Sequence, residues 1–251
     1  MIIAERTSQP RRTLVLSPRQ TPDAQSLWLV AVARGWSVIR ANSRWQLERT
    51  PEGEAIVYGE AMFVEYICAE LGLRAWRLPH DWLVDLPWDL RQRRVLRGQC
   101  LEVTAILGYP LFLKPDDVKG FRARVFESVD DLAPDIAPED IVMGAEVLNW
   151  LDEYRCFVKD NEVVAVSKYS QSGELALGGS SDELAEAAAY ASRILLYPAV
   201  GSVKSSVVDV GRIADVGWAV VEANPAWASG LYECDPSRVL DAIAWAFGVE
   251  A

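Results

Sequence analysis

Two β-α-β units stand at the start of this chain, and no other feature restricts its architecture as much. Thr13–Leu16 (TLVL) reads as a short buried strand. Thr21-Pro22-Asp23 then offers a cap, a proline for the first helical position and an acid for the first turn. Leu27, Val30 and Ala31 recur at helical spacing, Gly35 stands where the helix should stop, and Trp36–Arg40 (WSVIR) is the next strand. The pattern repeats as Ala55–Tyr58 (AIVY), a helix over Glu60–Leu71 closed by Gly72, and an extended run at Leu73–Leu78. Strands joined through helices pair in parallel, so residues 1–90 are expected to form a small open α/β layer.

From there the texture changes. Pro79–Pro87, with Trp76, Trp82 and Trp88 in or beside it, reads as a packed connector, and Leu90–Leu107 as one long helix. Short β runs follow at Leu111–Lys114, Ala123–Glu127, Ile141–Leu148, Tyr154–Lys159 and Val163–Tyr169. Asp160-Asn161 between the last two is a hairpin signal. A helix over Asp182–Leu196, a strand pair at Ser206–Val210 and Ala219–Glu222, and a helix over Pro236–Phe247 complete an antiparallel α+β half, residues 91–251.

Composition narrows the chemistry. The net charge of −11 is uneven. Residues 1–100 carry 14 arginines against 11 acids, and residues 101–251 carry 11 bases against 25 acids. So acidic a second half does not suit a bare phosphate backbone, and a nucleic-acid partner is not expected. A single histidine, His80, excludes histidine-rich zinc sites and histidine relays. Cys68, Cys100, Cys156 and Cys234 lie far apart and read as buried free thiols in a reducing cytoplasm. No apolar run is long enough to span a bilayer, so no membrane partner is expected. Only five lysines stand beside 20 arginines, which marks Lys114, Lys119, Lys159, Lys168 and Lys204 as places where a compact ammonium is preferred to a planar fork.

The strongest local signal is VVDVGRIADVGWAVVEANP. Across an antiparallel pair Asp209 can face Glu222, and Asn224, two residues on, shares its face. Three oxygen side chains then converge, which suits a hard cation such as Mg²⁺; the bland alternative is a solvent-facing hairpin end. Lys114 ends an apolar strand before a short loop holding Lys119 and Gly120, a weak phosphate grip without a P-loop pattern. Glu146-Val147-Leu148 could offer backbone groups to a purine edge, and Glu153 a carboxylate to ribose hydroxyls. Arg155, Lys168 and Lys204 follow in order.

As an ordered set these residues resemble the ATP-grasp superfamily, whose catalytic domain ends in a metal-binding Asp on one strand and Glu-x-Asn on the next. The Glu-Tyr-Arg-x-Phe-Val text at residues 153–158 and Asn-x-x-Trp-Ala-Ser-Gly-Leu-Tyr at 224–232 look most like a clade named for one arginine and two lysines, here Arg155, Lys168 and Lys204. The resemblance covers residues 55–248 well and the first 50 loosely. It implies a Rossmann-like leading layer followed by an ATP-grasp domain, with ATP and one or two Mg²⁺ as cofactors. It implies a ligase that joins a small-molecule or peptide carboxylate to an amine through an acylphosphate. Asp209, Glu222 and Asn224 would hold metal; Lys114 and Lys119 the phosphates; Glu146, Val147, Leu148 and Glu153 the nucleoside; Arg155, Lys168 and Lys204 the transferring group. A nucleotide-binding assembly factor or regulatory module without turnover is the alternative. Two departures stand out: the glycine-rich loop is reduced to Gly120, and Ser205-Ser206-Val207-Val208 replaces the arginine that often precedes the metal-binding Asp.

Overall fold

The computed structural model describes residues 11–116, 120–132 and 136–248. Its first sheet is the expected parallel one, in the order β2-β1-β3, from β1 (Arg12–Leu16), β2 (Ser37–Arg40) and β3 (Glu54–Tyr58). Helix α1 (Pro22–Ala33) starts where Thr21 accepts the Ala24 amide at 3.1 Å, and α2 (Ala61–Leu71) stops at left-handed Gly72. Leu73–Leu78 forms no strand. Its backbone turns to the C-terminal region instead: the Trp76 amide donates to Ala246 at 2.8 Å, and Trp227 Nε1 donates to the Trp76 carbonyl at 3.0 Å.

The helix expected over Leu90–Leu107 is three elements. After the short α3 (Trp82–Asp85), α4 (Trp88–Arg91) ends at left-handed Gln92, and β4 (Val95–Gln99) and α5 (Cys100–Leu107) follow. Gly98 weakens a helix there, and antiparallel pairing with β7 (Ile141–Glu146) wins. With β5 (Leu111–Pro115) and β6 (Arg124–Phe126) these form a four-stranded sheet, β4-β7-β5-β6, backed by α5.

The third sheet, β10-β9-β8-β11-β12, is antiparallel. It comprises β8 (Trp150–Lys159), β9 (Glu162–Gln171), β10 (Glu174–Gly178), β11 (Ser205–Ile213) and β12 (Gly217–Asn224). Asp160 and Asn161 both have positive φ, as a two-residue hairpin with strand-matched twist requires. Ser172 and Gly173 make the same kind of turn into β10, a strand the sequence reading did not foresee. One face of this sheet, with Phe157 and Val207, packs with the first sheet and α7 (Pro236–Trp245) in a single core. The opposite face, with Tyr154, Cys156, Val208 and Val210, packs under α6 (Ser181–Leu195). All four cysteines are buried and free. Among the described residues no helix is long and apolar enough to cross a membrane.

Candidate functional site

The five-stranded sheet brings the site together through its register. Asp209 on β11 lies opposite Arg155 on β8 and Glu222 on β12. Cross-strand partners share a face, and so do residues two apart, so Glu153, Arg155, Asp209, Glu222 and Asn224 all project from the face that also carries Phe157 and Val207. Two of the sheet's β-bulges flank the Arg155–Asp209 pair. In β12 the ladder shifts between Glu222 and Val220, leaving Val221 as the extra residue. In β9 it shifts between Ser170 and Lys168, leaving Tyr169, whose hydroxyl donates to Glu153 at 2.7 Å. Bulges of this kind re-aim side chains beside functional sites.

Opposite stands the four-stranded sheet. Leu111 and Leu113 are buried toward α5, so Phe112 and Lys114 face the other way. Lys114 Nζ reaches Glu222 Oε2 at 3.2 Å, and Asn224 Nδ2 donates to Glu222 Oε1 at 2.8 Å. Burial alone would raise the Glu222 carboxyl; Lys114 and Asn224 overcome it and hold the group below the usual carboxylate range.

Between the two sheets lies a cavity of about 520 Å³, lined among others by Phe112, Lys114, Val147, Leu148, Glu153 and Glu222. A second cavity of about 490 Å³ opens on the other side of the Lys114–Glu222 pair, toward α2, His80, Asn224 and Trp227. Lys114, Glu222, Leu83 and Met143 line both. The Glu146 carboxylate is turned to Arg94, which donates to it from its backbone amide and Nε, each at 2.7 Å. Glu146 therefore braces the strand end, and with Val147 and Leu148 it lines the inter-sheet cavity.

Arg155 and Asp209 form the most buried ion pair here. Arg155 Nε and Nη2 donate to the two Asp209 oxygens at 3.1 and 2.7 Å, and the Asp209 side chain is 0% exposed. Burial pushes the Asp209 carboxyl up to about 6 against the pull of Arg155. Arg155 Nη1 also donates to the Gly230 carbonyl at 3.1 Å, and its guanidinium lies 5.4 and 4.7 Å from the rings of Tyr169 and Tyr232, which stack on each other.

Two of the expected lysines are elsewhere. Lys168 pairs with Tyr154 in the ladder, so it lies on the α6 face, where its Nζ bonds Gln171 at 3.1 Å and stands 3.9 Å from Glu183. Lys204 is exposed just before β11, five residues from Asp209 and so roughly 16 Å away along the strand. Neither joins Arg155. Lys119 lies outside the described residues.

Arg93 was missed by sequence reasoning. It is buried, lines the 520 Å³ cavity, and donates to the carbonyls of Val220 and Val221 at 2.6 Å each, bonding the backbone of the β12 bulge. Burial pulls its guanidinium down to about 10. Nothing in RQRRVLR distinguishes it from its neighbours, since only the tertiary fold supplies the carbonyls.

The donor set suits a hard divalent cation: Glu222 and Asn224 converge beside a cavity, with Asp209 across the ladder. Both Asp209 oxygens are committed to Arg155, and among the described residues no three His, Cys, Asp or Glu side chains gather closely enough to hold a metal as they stand.

Solved structures share this architecture. A RimK-domain ATP-grasp protein from Sphaerobacter thermophilus superposes with a TM-score of 0.59 at 19% identity, over 92% of this chain and 99% of that one. D-alanine–D-alanine ligase from Bacillus anthracis gives 0.59 at 12% identity, over 93% and 96%. The ATP-grasp ligase PsnB, solved with a phosphomimetic precursor variant, Mg and ADP, gives 0.52 at 17% identity, over 93% and 97%. No curated protein sequence matches the chain. Residues 90–242 match an ATP-grasp domain family, the second family of the clade named for one arginine and two lysines. With well over half its length in that match, and with the two antiparallel sheets enclosing a cavity walled by Lys114 and Glu222, the chain belongs to the arginine-and-two-lysines clade of the ATP-grasp superfamily.

Proposed function

We propose that this protein is an ATP-dependent carboxylate–amine ligase that works with Mg²⁺ through an acylphosphate. The observation that carries the reading is the pair of cavities meeting at Lys114 and Glu222. A nucleotide in the inter-sheet cavity directs its phosphates to that pair, and an acid in the second cavity meets them from the other side. Positioning and charge neutralisation are most of what such a phosphoryl transfer needs.

In this reading the backbone of Val147 and Leu148 receives the adenine edge and Glu153 the ribose. Lys114 contacts the phosphates and Arg155 the transferring phosphoryl group. Lys119 is a further candidate for the phosphates. Glu222 and Asn224 hold Mg²⁺, with Asp209 joining when Arg155 is drawn away. The ion would supply charge neutralisation at the phosphates. The PsnB and D-alanine–D-alanine ligase likenesses support a peptide or a small molecule as the carboxylate and amine source. The 1–90 and 91–251 division remains our proposed domain boundary, and the cytoplasm our proposed location. Lys168 and Lys204 leave the catalytic set.

The test is a thermal-shift titration with a non-hydrolysable ATP analogue, with and without Mg²⁺. Ligand at about 100 times its Kd stabilises by roughly 2.7 kcal/mol, which is several degrees in a protein of this size. A Mg-dependent shift that Glu222→Gln loses is expected. No shift in the wild type at millimolar analogue refutes the reading. Analogue binding without ADP formation across a panel of acids and amines selects the assembly-factor alternative.

A further inference from the structure

Resting on the metal–nucleotide reading above, we propose that Arg155 and Asp209 occupy one another's ligand positions in the free chain, so that divalent cation and nucleotide bind only as a coupled pair. Asp209 is wholly buried, and both its oxygens accept from Arg155. The side chain of Arg155 is 8% exposed. Its remaining contacts are to the Gly230 carbonyl and the faces of Tyr169 and Tyr232, none of which carries a full negative charge.

Neither member of this pair can therefore leave alone. A cation that takes Asp209 by itself strands a buried guanidinium. A phosphate that takes Arg155 by itself strands a buried carboxylate. Breaking one side of a buried pair is strongly unfavourable for this reason. Metal and nucleotide together make an exchange in which every charge keeps a partner: Asp209 passes from Arg155 to the cation, and Arg155 from Asp209 to the phosphate. No covalent bond changes.

The surroundings let the exchange stay local. Glu222 faces Asp209 across the ladder and is already held by Lys114 and Asn224, so a cation beside it needs only one further protein oxygen to complete a three-residue set. On its other side Arg155 is tied to the loop after β12 through the Gly230 carbonyl. Asp23 Oδ2 fixes that loop by accepting the Leu231 amide at 3.0 Å.

The test follows Mn²⁺ as the metal probe by electron paramagnetic resonance, and the β,γ-imido analogue of ATP by calorimetry, on the whole chain. In the wild type each should bind weakly alone, and each should tighten the other by about tenfold or more, within the usual range of coupling between sites. Arg155→Met should bind Mn²⁺ alone about tenfold more tightly than wild type and lose the coupling. Asp209→Asn should bind the analogue without metal about tenfold more tightly. Asp209→Asn preserves side-chain shape, so it carries the test if Arg155→Met does not fold. Absence of the predicted gain in a folded variant, while the wild type still binds Mn²⁺ and analogue together, overturns the exchange and leaves the nucleotide site standing. No joint binding in the wild type overturns the nucleotide reading itself.

Discussion

Gly144 should be one of the least replaceable residues in the four-stranded sheet. It lies on β7 directly beneath α5, opposite Leu113 on β5. A Cβ there would stand 2.3 Å from Val103 Cγ1, 3.0 Å from Leu107 Cδ1 and 3.1 Å from Leu113 Cδ2. Carbon–carbon contact is most favourable near 3.5–4.0 Å, so about 1.5 Å must open between strand and helix. Val103 is β-branched and on a helix, so its χ1 is nearly fixed and the helix itself has to move. Overpacking of this kind costs about 1–3 kcal/mol, and the unusually short distance puts Gly144→Ala at roughly 2 kcal/mol after the gain from removing a strand glycine. For a chain of this length that lowers Tm by about 4–8 °C. Gly98 on β4 is the control, because a Cβ there meets nothing closer than 3.7 Å. Urea unfolding followed by tryptophan fluorescence measures both. Val103→Ala should destabilise the wild type yet partly rescue Gly144→Ala, with a coupling of at least about 1 kcal/mol. Equal urea midpoints for Gly144→Ala and Gly98→Ala would refute the steric account.

Other outcomes follow from the same geometry. Lys114→Met should weaken binding of the ATP analogue tenfold or more by calorimetry, whereas Lys204→Met should leave it unchanged, because of these two lysines Lys114 alone lines the cavity. Arg212→Met strands Asp152, which is 6% exposed and accepts from Arg212 Nε at 2.9 and 3.0 Å, and should cost about 3 kcal/mol in urea unfolding with analogue affinity intact. Glu183 is held below the usual carboxylate range by the Ser180 amide and hydroxyl at the start of α6. A depressed carboxyl contributes stability above its unfolded pKa and loses it as pH falls through the folded one. Wild type should therefore lose stability on the acid side of about pH 4.3, and Glu183→Gln should flatten that limb in a pH series of Tm values.

Local chemistry was enough to read much of this protein from its residues. The parallel opening layer followed from caps, glycines and apolar spacing that act within a dozen residues. The β11–β12 pairing, and with it the opposition of Asp209 and Glu222, followed from the period-two alternation of a hairpin. Lys114 and Val147–Leu148 on one cavity followed from the ordered likeness to a known family. Tertiary structure decided the rest, where the deciding partner is distant in sequence. Residues 95–99 became a strand because β7 was there to pair with them, against a helical local pattern. Lys168 went to the α6 face because a bulge at Tyr169 shifts the ladder beside it, and no sequence rule places a bulge. Arg93 gained its role only when the bulge carbonyls of β12 came within 2.6 Å. Residue type sets what a side chain can bond, but register and packing decide what comes within reach, and both belong to the whole chain.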